Sequence, residues 1–461
     1  MNFLDRFSSP QLQKLHSGKV RDSFRIDDRT RMIVVSDRLS AFDKVLETPI
    51  PTKGAILNGI ANFWFEKSQD ICENHFIEVI DPNISLVKEA EPIKVEMIVR
   101  GFLTGSIWRE YERGKRIFSG VKLPDGLKRN QKLQTPILTP TTKEKNDREI
   151  SPEEILQTGL ADPGTWSKMA EISLKLFERG RELLEPKGFL LADTKYEFGK
   201  VGGKVILIDE IHTPDSSRFW SIAKYTKDPM SVDSLDKEYV REWLRKNIVD
   251  SAYPSVLPPE VVIETTKRYR EIYSIITGQE FRISNTEVKT RIASNLIAKG
   301  LIKPGYVVIF MGSPSDIVHA KKIADVVESY GIKTDLRVVS AHKNGERIAE
   351  MVAEYNDSIE PGAAIAVAGR SNGLGGALGA NLNIPVISCP PFTGKDDLML
   401  NINSSLFMPS KIPASIILDP ESAALGALRS LNIPSLRDKF SQEITRMKKS
   451  LMVEDERIRR G

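Results

Sequence analysis

The chain has 461 residues, which at roughly 150 residues per domain gives about three folding units or two domains of unequal size. Its 66 Lys plus Arg against 62 Asp plus Glu leave a formal net charge of +4, too small to mark a nucleic-acid binder, and 40% hydrophobic with 28% charged residues is ordinary for a globular enzyme. Cys72 and Cys389 lie far apart without metal-ligand spacing, and no apolar run reaches signal or membrane-span length, so a disulfide scaffold, a thiolate metal cluster and a membrane partner are excluded and a cytoplasmic location is expected.

Residues 1 to 220 read as α+β. Short strands at Met32–Val35 and Val95–Val99 are mixed with hairpin signals, the clearest being Lys195–Gly199 and Lys204–Asp209 around Gly202-Gly203. Segments 235 to 247 and 258 to 277 predict helices, the second opened by Pro258-Pro259, and a further helix over 286 to 299 stops at Gly300 and Pro304. This places a first domain at 1–280, a helical linker at 281–304 and a second domain at 305–461.

In the second domain Val307–Met311, Leu336–Val339, Ala363–Ala368, Val386–Cys389 and Ile416–Leu418 are apolar runs, each followed by a turn and helix-competent sequence. Runs this apolar suit strands buried on both faces. The expected fold is therefore α/β, a doubly wound parallel sheet of about five strands in a flavodoxin-like three-layer arrangement, with ligands beyond the carboxyl ends of the strands. Arg437 to Arg459 reads as a charged helix. No internal repeat is detectable, so the two parts are expected to do different things.

The densest chemistry in the first part is Asp193-Thr194-Lys195-Tyr196-Glu197-Phe198-Gly199. On a strand, 193, 195 and 197 share one face, so two carboxylates flank an amine while Tyr196 and Phe198 enter the core. A three-residue loop would set Asp209 opposite Lys195 and a two-residue Gly-Gly turn would set Glu210 there; in either register a carboxylate arrives beside Glu197. Such a cluster suits Mg²⁺ with a nucleotide polyphosphate, or a solvated ladder of charge pairs. Ser17-Gly18-Lys19-Val20-Arg21-Asp22 offers a glycine turn beside a cation, Arg100-Gly101 with Thr104-Gly105-Ser106 puts a guanidinium and hydroxyls at a strand end, and Thr139 to Asp147 is a polar loop. Neither GxxxxGK[ST] nor GxGxxG occurs, so no P-loop or Rossmann site is indicated.

Taken in order, these blocks, with Ser36 to Asp43 and with Asp209-Glu210 running on through Thr213 to Arg218, resemble SAICAR synthetase (phosphoribosylaminoimidazole-succinocarboxamide synthase) over about 220 residues. The resemblance implies ATP-driven amide formation between the carboxylate of carboxyaminoimidazole ribotide (CAIR) and the amine of L-aspartate. It implies that Glu197 and Asp209 bind Mg²⁺, that Lys19 and Lys143 contact ATP phosphates, and that Lys195 neutralises nearby charge. By the same resemblance Arg100, Ser106 and Arg218 hold the ribotide phosphate and other anionic groups, and Asp147 orients substrate.

In the second part three polar turns follow successive strands: Gly312-Ser313-Pro314-Ser315-Asp316, Ser340-Ala341-His342-Lys343, and Gly369 to Gly376. At strand carboxyl ends they converge on a pocket, although Ser315 or Asp316 could serve only as a helix cap, His342 as a surface residue and the glycines as packing. His319, on the next helix, reads as surface or packing. These turns and Pro385 to Pro391 resemble AIR carboxylase (phosphoribosylaminoimidazole carboxylase) over most of 306–435, and Ala368 to Gly375 resembles the class that uses CO₂ directly. The resemblance implies His342 as proton carrier, Ser313, Ser315 and Asp316 at the ribotide, and Ser340, Lys343 and Ser371 positioning substrate or CO₂, with no cofactor. A neutral-pH imidazole is suited to remove the proton that restores aromaticity after carboxylation. The two activities are consecutive, as in the animal fusion of these domains in this order, and by analogy a homo-oligomer, an octamer, is expected. An N5-CAIR mutase in the second domain, or a ribotide-binding scaffold without turnover, are the alternatives.

Overall fold

The computed structural model describes residues 2–42, 44–143, 147–230, 232, 234–369, 373–392, 394–413 and 415–460. They form two units, one of residues 1–5 with 14–288, the other of 6–13 with 289–461. Among the described residues no helix is long and apolar enough to cross a membrane.

Among the described residues the first unit holds two large sheets and two small two-stranded ones. Strands β1 (Gln13–Ser17), β2 (Arg21–Arg25), β3 (Thr30–Val35), β4 (Phe76–Asp81) and β5 (Ile84–Lys88) form a five-stranded sheet in the order β1-β2-β3-β5-β4. A second sheet is built on β6 (Glu91–Phe102), β7 (Lys132–Leu138), β8 (Phe189–Val201), β9 (Lys204–Ile208) and β10 (Ser217–Ser221), with β8 paired antiparallel to β6, β9 and β10. Period-two alternation explains β8: Tyr196 and Phe198 are fully buried in the core with Val95, Met97 and Val99 of β6, and the polar residues take the other face. The longer helices of the unit are α1 (Lys53–Lys67), α2 (Gly105–Glu112), α3 (Pro163–Leu184), α4 (Glu238–Lys246) and α5 (Pro259–Thr277). Ile56, Ile60 and Trp64 of α1, Leu176 and Phe177 of α3 and Ile272 of α5 join that same core. Asp162 caps α3, its carboxylate accepting from Thr165 N at 2.8 Å, with Pro163 at the first helical position.

The Gly202-Gly203 turn has two residues, both left-handed (φ 55° and 80°), which a type I′ turn requires and glycine supplies without strain. Pairing of Val201 with Lys204 and Glu197 with Ile208 fixes the two-residue register.

A buried ion pair ties α1 to the loop before β10. Lys53 Nζ donates to Asp215 Oδ2 at 2.8 Å with both side chains nearly free of solvent, and Tyr269 Oη donates to Asp215 Oδ1 at 2.7 Å. Burial alone would raise the Asp215 pKa, but Lys53, Lys237 and the Tyr269 hydroxyl hold it below its ordinary 3.8. Its stabilising contribution is thus complete above about pH 4 and is lost as pH falls below that value. Lys53→Met should leave a buried carboxylate uncompensated and cost about 3–5 kcal/mol. Urea unfolding followed by tryptophan fluorescence measures this, because all five tryptophans lie between Trp64 and Trp243 and report on the first unit. A loss under about 1 kcal/mol would show that the pair does not hold the unit together.

The second unit is a parallel sheet of β11 (Tyr306–Met311), β12 (Lys333–Val338), β13 (Gly362–Val367), β14 (Val386–Ser388) and β15 (Ser415–Ile416), in the order β12-β11-β13-β14-β15. Helices α6 (Val288–Ala298), α7 (Ile317–Ser329), α8 (Arg347–Asn356), α9 (Gly373–Asn381), α10 (Lys395–Leu406), α11 (Pro420–Ser430) and α12 (Pro434–Arg460) follow one another along the chain. Strand β11 divides its side chains between two cores. Val307, Ile309 and Met311 pack with α7 and α11, while Tyr306, Val308 and Phe310 pack with α8 and α9. This is the doubly wound α/β arrangement. The edge strand β12 differs from the expectation of strands buried on both faces: only Thr334 is buried, because one flank of an edge strand has no neighbouring strand. Residues Arg6–Gln13 also belong here. Ser8 bridges Ser358 in parallel, and the Gln11 amide exchanges hydrogen bonds with the Lys303 backbone at 2.8 and 3.1 Å.

Candidate active sites

The antiparallel pairing of β8 with β6 sets Arg100 opposite Asp193, Ile98 opposite Lys195 and Glu96 opposite Glu197. Two carboxylates directly across a sheet repel each other unless a cation lies between them. Lys195 fills that role, donating to Glu96 at 2.9 Å and Glu197 at 3.3 Å, and Lys143 also pairs with Glu197. Burial works against the Lys195 charge, but Glu197 and Glu96, with Asp209 and Glu210 further off, outweigh it and hold the ammonium above its ordinary pKa.

This face opens into a cavity of about 660 Å³ lined by Lys19, Arg21, Glu96, Lys143, Asp147, Glu197 and Asp209 among others. The Gly18 turn is tight: its N–H donates to Arg21 O at 2.8 Å, and a Cβ at Gly18 would lie 2.7 Å from that oxygen. Asp209 follows β9 in a left-handed conformation (φ 67°), a strained backbone for a residue with a side chain. Arg21 donates to Asp209 at 3.2 Å and to Glu210 more closely. His75 lines the same space, and burial, reinforced by Arg21 and Arg31, pushes its pKa down to about 3, so it is neutral at physiological pH. Among the described residues no three His, Cys, Asp or Glu side chains gather closely enough to hold a metal by themselves. The donor chemistry fits a divalent cation that takes one or two carboxylates and completes its shell with phosphate oxygens and water, the usual habit of Mg²⁺.

A second cavity, of about 960 Å³, contains Ser106 and Arg218 together with Arg109, Arg241 and Arg245. Arg100 is buried beside it, bonded to Thr139 Oγ1 at 2.7 Å, Asp193 Oδ2 at 3.2 Å and Ser106 Oγ at 3.3 Å. Arg218 pairs with the same Asp193 oxygen. Gly105 (φ 66°) starts α2, and a Cβ there would sit 2.7 Å from the Arg218 guanidinium, so glycine is required both for the backbone turn and for the approach of the arginine. The anticipated residues of this unit therefore fall into two groups. Lys19, Lys143, Asp147, Glu197 and Asp209 share one cavity, with Lys195 bound to its carboxylates, while Ser106 and Arg218 share the other, with Arg100 bonded to Ser106.

In the second unit the three polar turns all follow strand carboxyl ends. Ser313 and Asp316 form a reciprocal cap: Ser315 N donates to Ser313 Oγ at 3.3 Å, and Ser313 N donates to Asp316 Oδ2 at 3.0 Å. Ser315 Oγ is exposed and bonds Ser313 Oγ at 2.9 Å. Burial raises the Asp316 pKa. The second turn is fixed by Ser340 N donating to Asn344 Oδ1 at 2.8 Å, with His342 and Lys343 exposed. His342 reaches the third turn, since a Cβ at Gly373 would lie 2.9 Å from its Cε1 and 3.1 Å from its Nε2. Ser371 lies outside the described residues. His319 is half-buried, with Nε2 3.3 Å from Cys389 Sγ.

Several site residues carry no local sequence signal. Glu96 could be found by extending the period-two face of Arg100 back along β6, but Arg21 and Glu210 come together only through long-range folding. Asp193, which anchors two guanidinia, was visible as a strand-face carboxylate without its partners being visible.

Residues 14–258 match the family model described as SAICAR synthetase, and residues 306–451 match that described as AIR carboxylase. A phosphoribosylaminoimidazole-succinocarboxamide synthase of Cytophaga hutchinsonii is 42% identical over 301 residues, covering 63% of this chain and 97% of that protein. Among solved structures, the SAICAR-synthase of Saccharomyces cerevisiae complexed with SAICAR is 33% identical with a TM-score of 0.55, covering 61% of this chain and all of that one (100%). Treponema denticola PurE is 36% identical with a TM-score of 0.31, covering 33% of this chain and 98% of that one.

Proposed function

The chain belongs to the SAICAR synthetase family and carries an AIR carboxylase domain after it, and from this we propose that it is a bifunctional purine-biosynthesis enzyme whose second unit carboxylates AIR with CO₂ to CAIR and whose first unit joins CAIR to L-aspartate with ATP. The observation that carries the reading is the cavity in which Lys19, Lys143, Asp147, Glu197 and Asp209 meet.

A carboxylate is a poor acyl donor at neutral pH. In the proposed reaction a CAIR carboxylate oxygen attacks the γ-phosphorus of ATP, releasing ADP and leaving an acyl phosphate. The aspartate amine then attacks the acyl carbon, expelling phosphate and forming the amide. This chemistry asks for positioning and positive charge more than for a protein nucleophile. Lys19 and Lys143 supply charge to the phosphates, and Lys195 keeps Glu96 and Glu197 together without repulsion. Glu197 and Asp209 would hold Mg²⁺, which when bound neutralises triphosphate charge. Arg100, Ser106 and Arg218 would hold the ribotide phosphate, and Asp147 would orient substrate.

In the second unit the imidazole carbon of AIR attacks CO₂, and the resulting tetrahedral carbon must lose its proton to restore the aromatic ring. His342 is the assigned proton carrier, with Ser313, Ser315 and Asp316 at the ribotide and Ser340, Lys343 and Ser371 positioning substrate or CO₂. No cofactor is assigned to this step. The chain is further proposed to act in the cytoplasm as a homo-oligomer, an octamer.

Incubation of the full chain with AIR and bicarbonate, without ATP, tests the reading. CAIR should form, and addition of aspartate and MgATP should convert it to SAICAR with release of ADP. Turnover of N5-carboxyaminoimidazole ribotide but not of AIR with bicarbonate would replace direct carboxylation by the mutase reaction. Absence of turnover at both units would leave a ribotide-binding scaffold.

A further inference from the structure

The larger cavity carries more positive charge than its protein partners neutralise. Arg241 and Arg245 share the single carboxylate of Glu238 at 3.2 and 2.8 Å, and Arg268 pairs with Glu264 at 2.8 Å. Arg100 and Arg218 share one directly bonded carboxylate, Asp193, while Asp236 and Glu238 act on Arg218 from further off. A sugar 5′-phosphate carries close to two negative charges at neutral pH. The two guanidinia, already shared with Asp193, do not match that charge by themselves, and a cation from elsewhere in the cavity is needed.

Arg109 and Arg129 line this cavity with no carboxylate partner among the described residues. Of the two, Arg109 lies three residues after Ser106 on α2, and residues at that spacing share a helix face. Ser106 is the hydroxyl bonded to Arg100, so this face of α2 points toward the Arg100–Asp193–Arg218 group. An independent sign is electrostatic. Burial and then the neighbouring Arg218 and Arg245 charges lower the Arg109 pKa by more than the Glu238 charge raises it, as befits a guanidinium crowded by like charge. Such crowding is unfavourable in the empty site and is relieved when an anion enters.

We propose that Arg109 is a substrate-binding residue of the first unit that supplies the second positive charge to the 5′-phosphate of the ribotide, completing a site whose other members are Arg100, Ser106 and Arg218. This rests on the synthetase reading above and adds to it which end of which substrate Arg109 takes. Arg109 discriminates the phosphorylated ribotide from its riboside, and it leaves the aspartate site untouched.

The test uses full-length Arg109→Gln and Arg109→Lys in the ATP-dependent step. Arg109 is exposed and makes no ion pair among the described residues, so either change should leave the fold intact. Arg109→Gln should raise KM for CAIR about 10- to 100-fold, the loss of one charge-assisted contact, while KM for aspartate stays within about twofold. Arg109→Lys should recover part of the loss. Calorimetric binding of the CAIR riboside, which lacks the phosphate, should be the same in wild type and Arg109→Gln, undetectable binding in both included. An unchanged KM for CAIR, a rise in KM for aspartate in its place, or weaker riboside binding in the variant would overturn the assignment. A wild-type chain that releases no ADP with CAIR, aspartate and MgATP would instead overturn the synthetase reading itself.

Discussion

Glu197→Gln should lower the ATP-dependent formation of SAICAR by about 10²–10³-fold while leaving CAIR formation from AIR unchanged. The side chain keeps its shape and loses one negative charge. In the wild type, Glu197 accepts from both Lys143 and Lys195 and stands opposite Glu96 across the sheet. The amide cannot neutralise either ammonium, so Lys195 turns to Glu96 alone and Lys143 loses its carboxylate. A divalent cation would also lose one of the two carboxylates assigned to it, and the Mg²⁺ concentration for half-maximal rate should rise. Parallel assays of ADP release and of CAIR formation separate the steps, and unchanged tryptophan fluorescence shows that the first unit remains folded. Equal loss of both activities would mean that the substitution acts through the whole chain. Undiminished SAICAR formation would remove Glu197 from the site.

Much of this geometry is legible in the chain because it follows from short periods. The central parallel strands are continuous apolar runs, since both faces are covered, and each of the five strand segments expected in the second domain overlaps one of β11 to β15. The alternation of Asp193, Lys195 and Glu197 with Tyr196 and Phe198 separates the polar face of β8 from its apolar one. The Gly-Gly turn narrows the hairpin register to two choices, and the observed pairing takes the two-residue one. Long-range pairings have no such signature. Nothing local places Glu96 across from Glu197, closes Arg21 onto Asp209 and Glu210, or assigns Arg6–Gln13 to the second unit through the bridge from Ser8 to Ser358. The division of the polar residues between two cavities is hidden for the same reason: Arg100 and Glu96 lie on one strand face, yet their partners are set by which residues of β8 stand opposite them.

His342→Asn should reduce CAIR formation from AIR by about 10²–10⁴-fold, the usual contribution of a positioned general base, and leave conversion of supplied CAIR to SAICAR intact. Asparagine keeps a polar, planar end group but cannot accept and carry away a proton at neutral pH. The imidazole is exposed at the carboxyl edge of the sheet and lies against the backbone of Gly373, where α9 begins. That contact makes a second variant informative. In Gly373→Ala the added methyl would come within 2.9 Å of Cε1, closer than a carbon can sit, and within 3.1 Å of Nε2, so the ring must move. Gly373→Ala should therefore lower the rate by a smaller factor than His342→Asn, and combining the two should add little, because a displaced base and an absent one fail in the same step. A double variant far slower than His342→Asn alone would mean that Gly373 serves the substrate directly. Full activity in His342→Asn would assign the proton to another group at the same sheet edge.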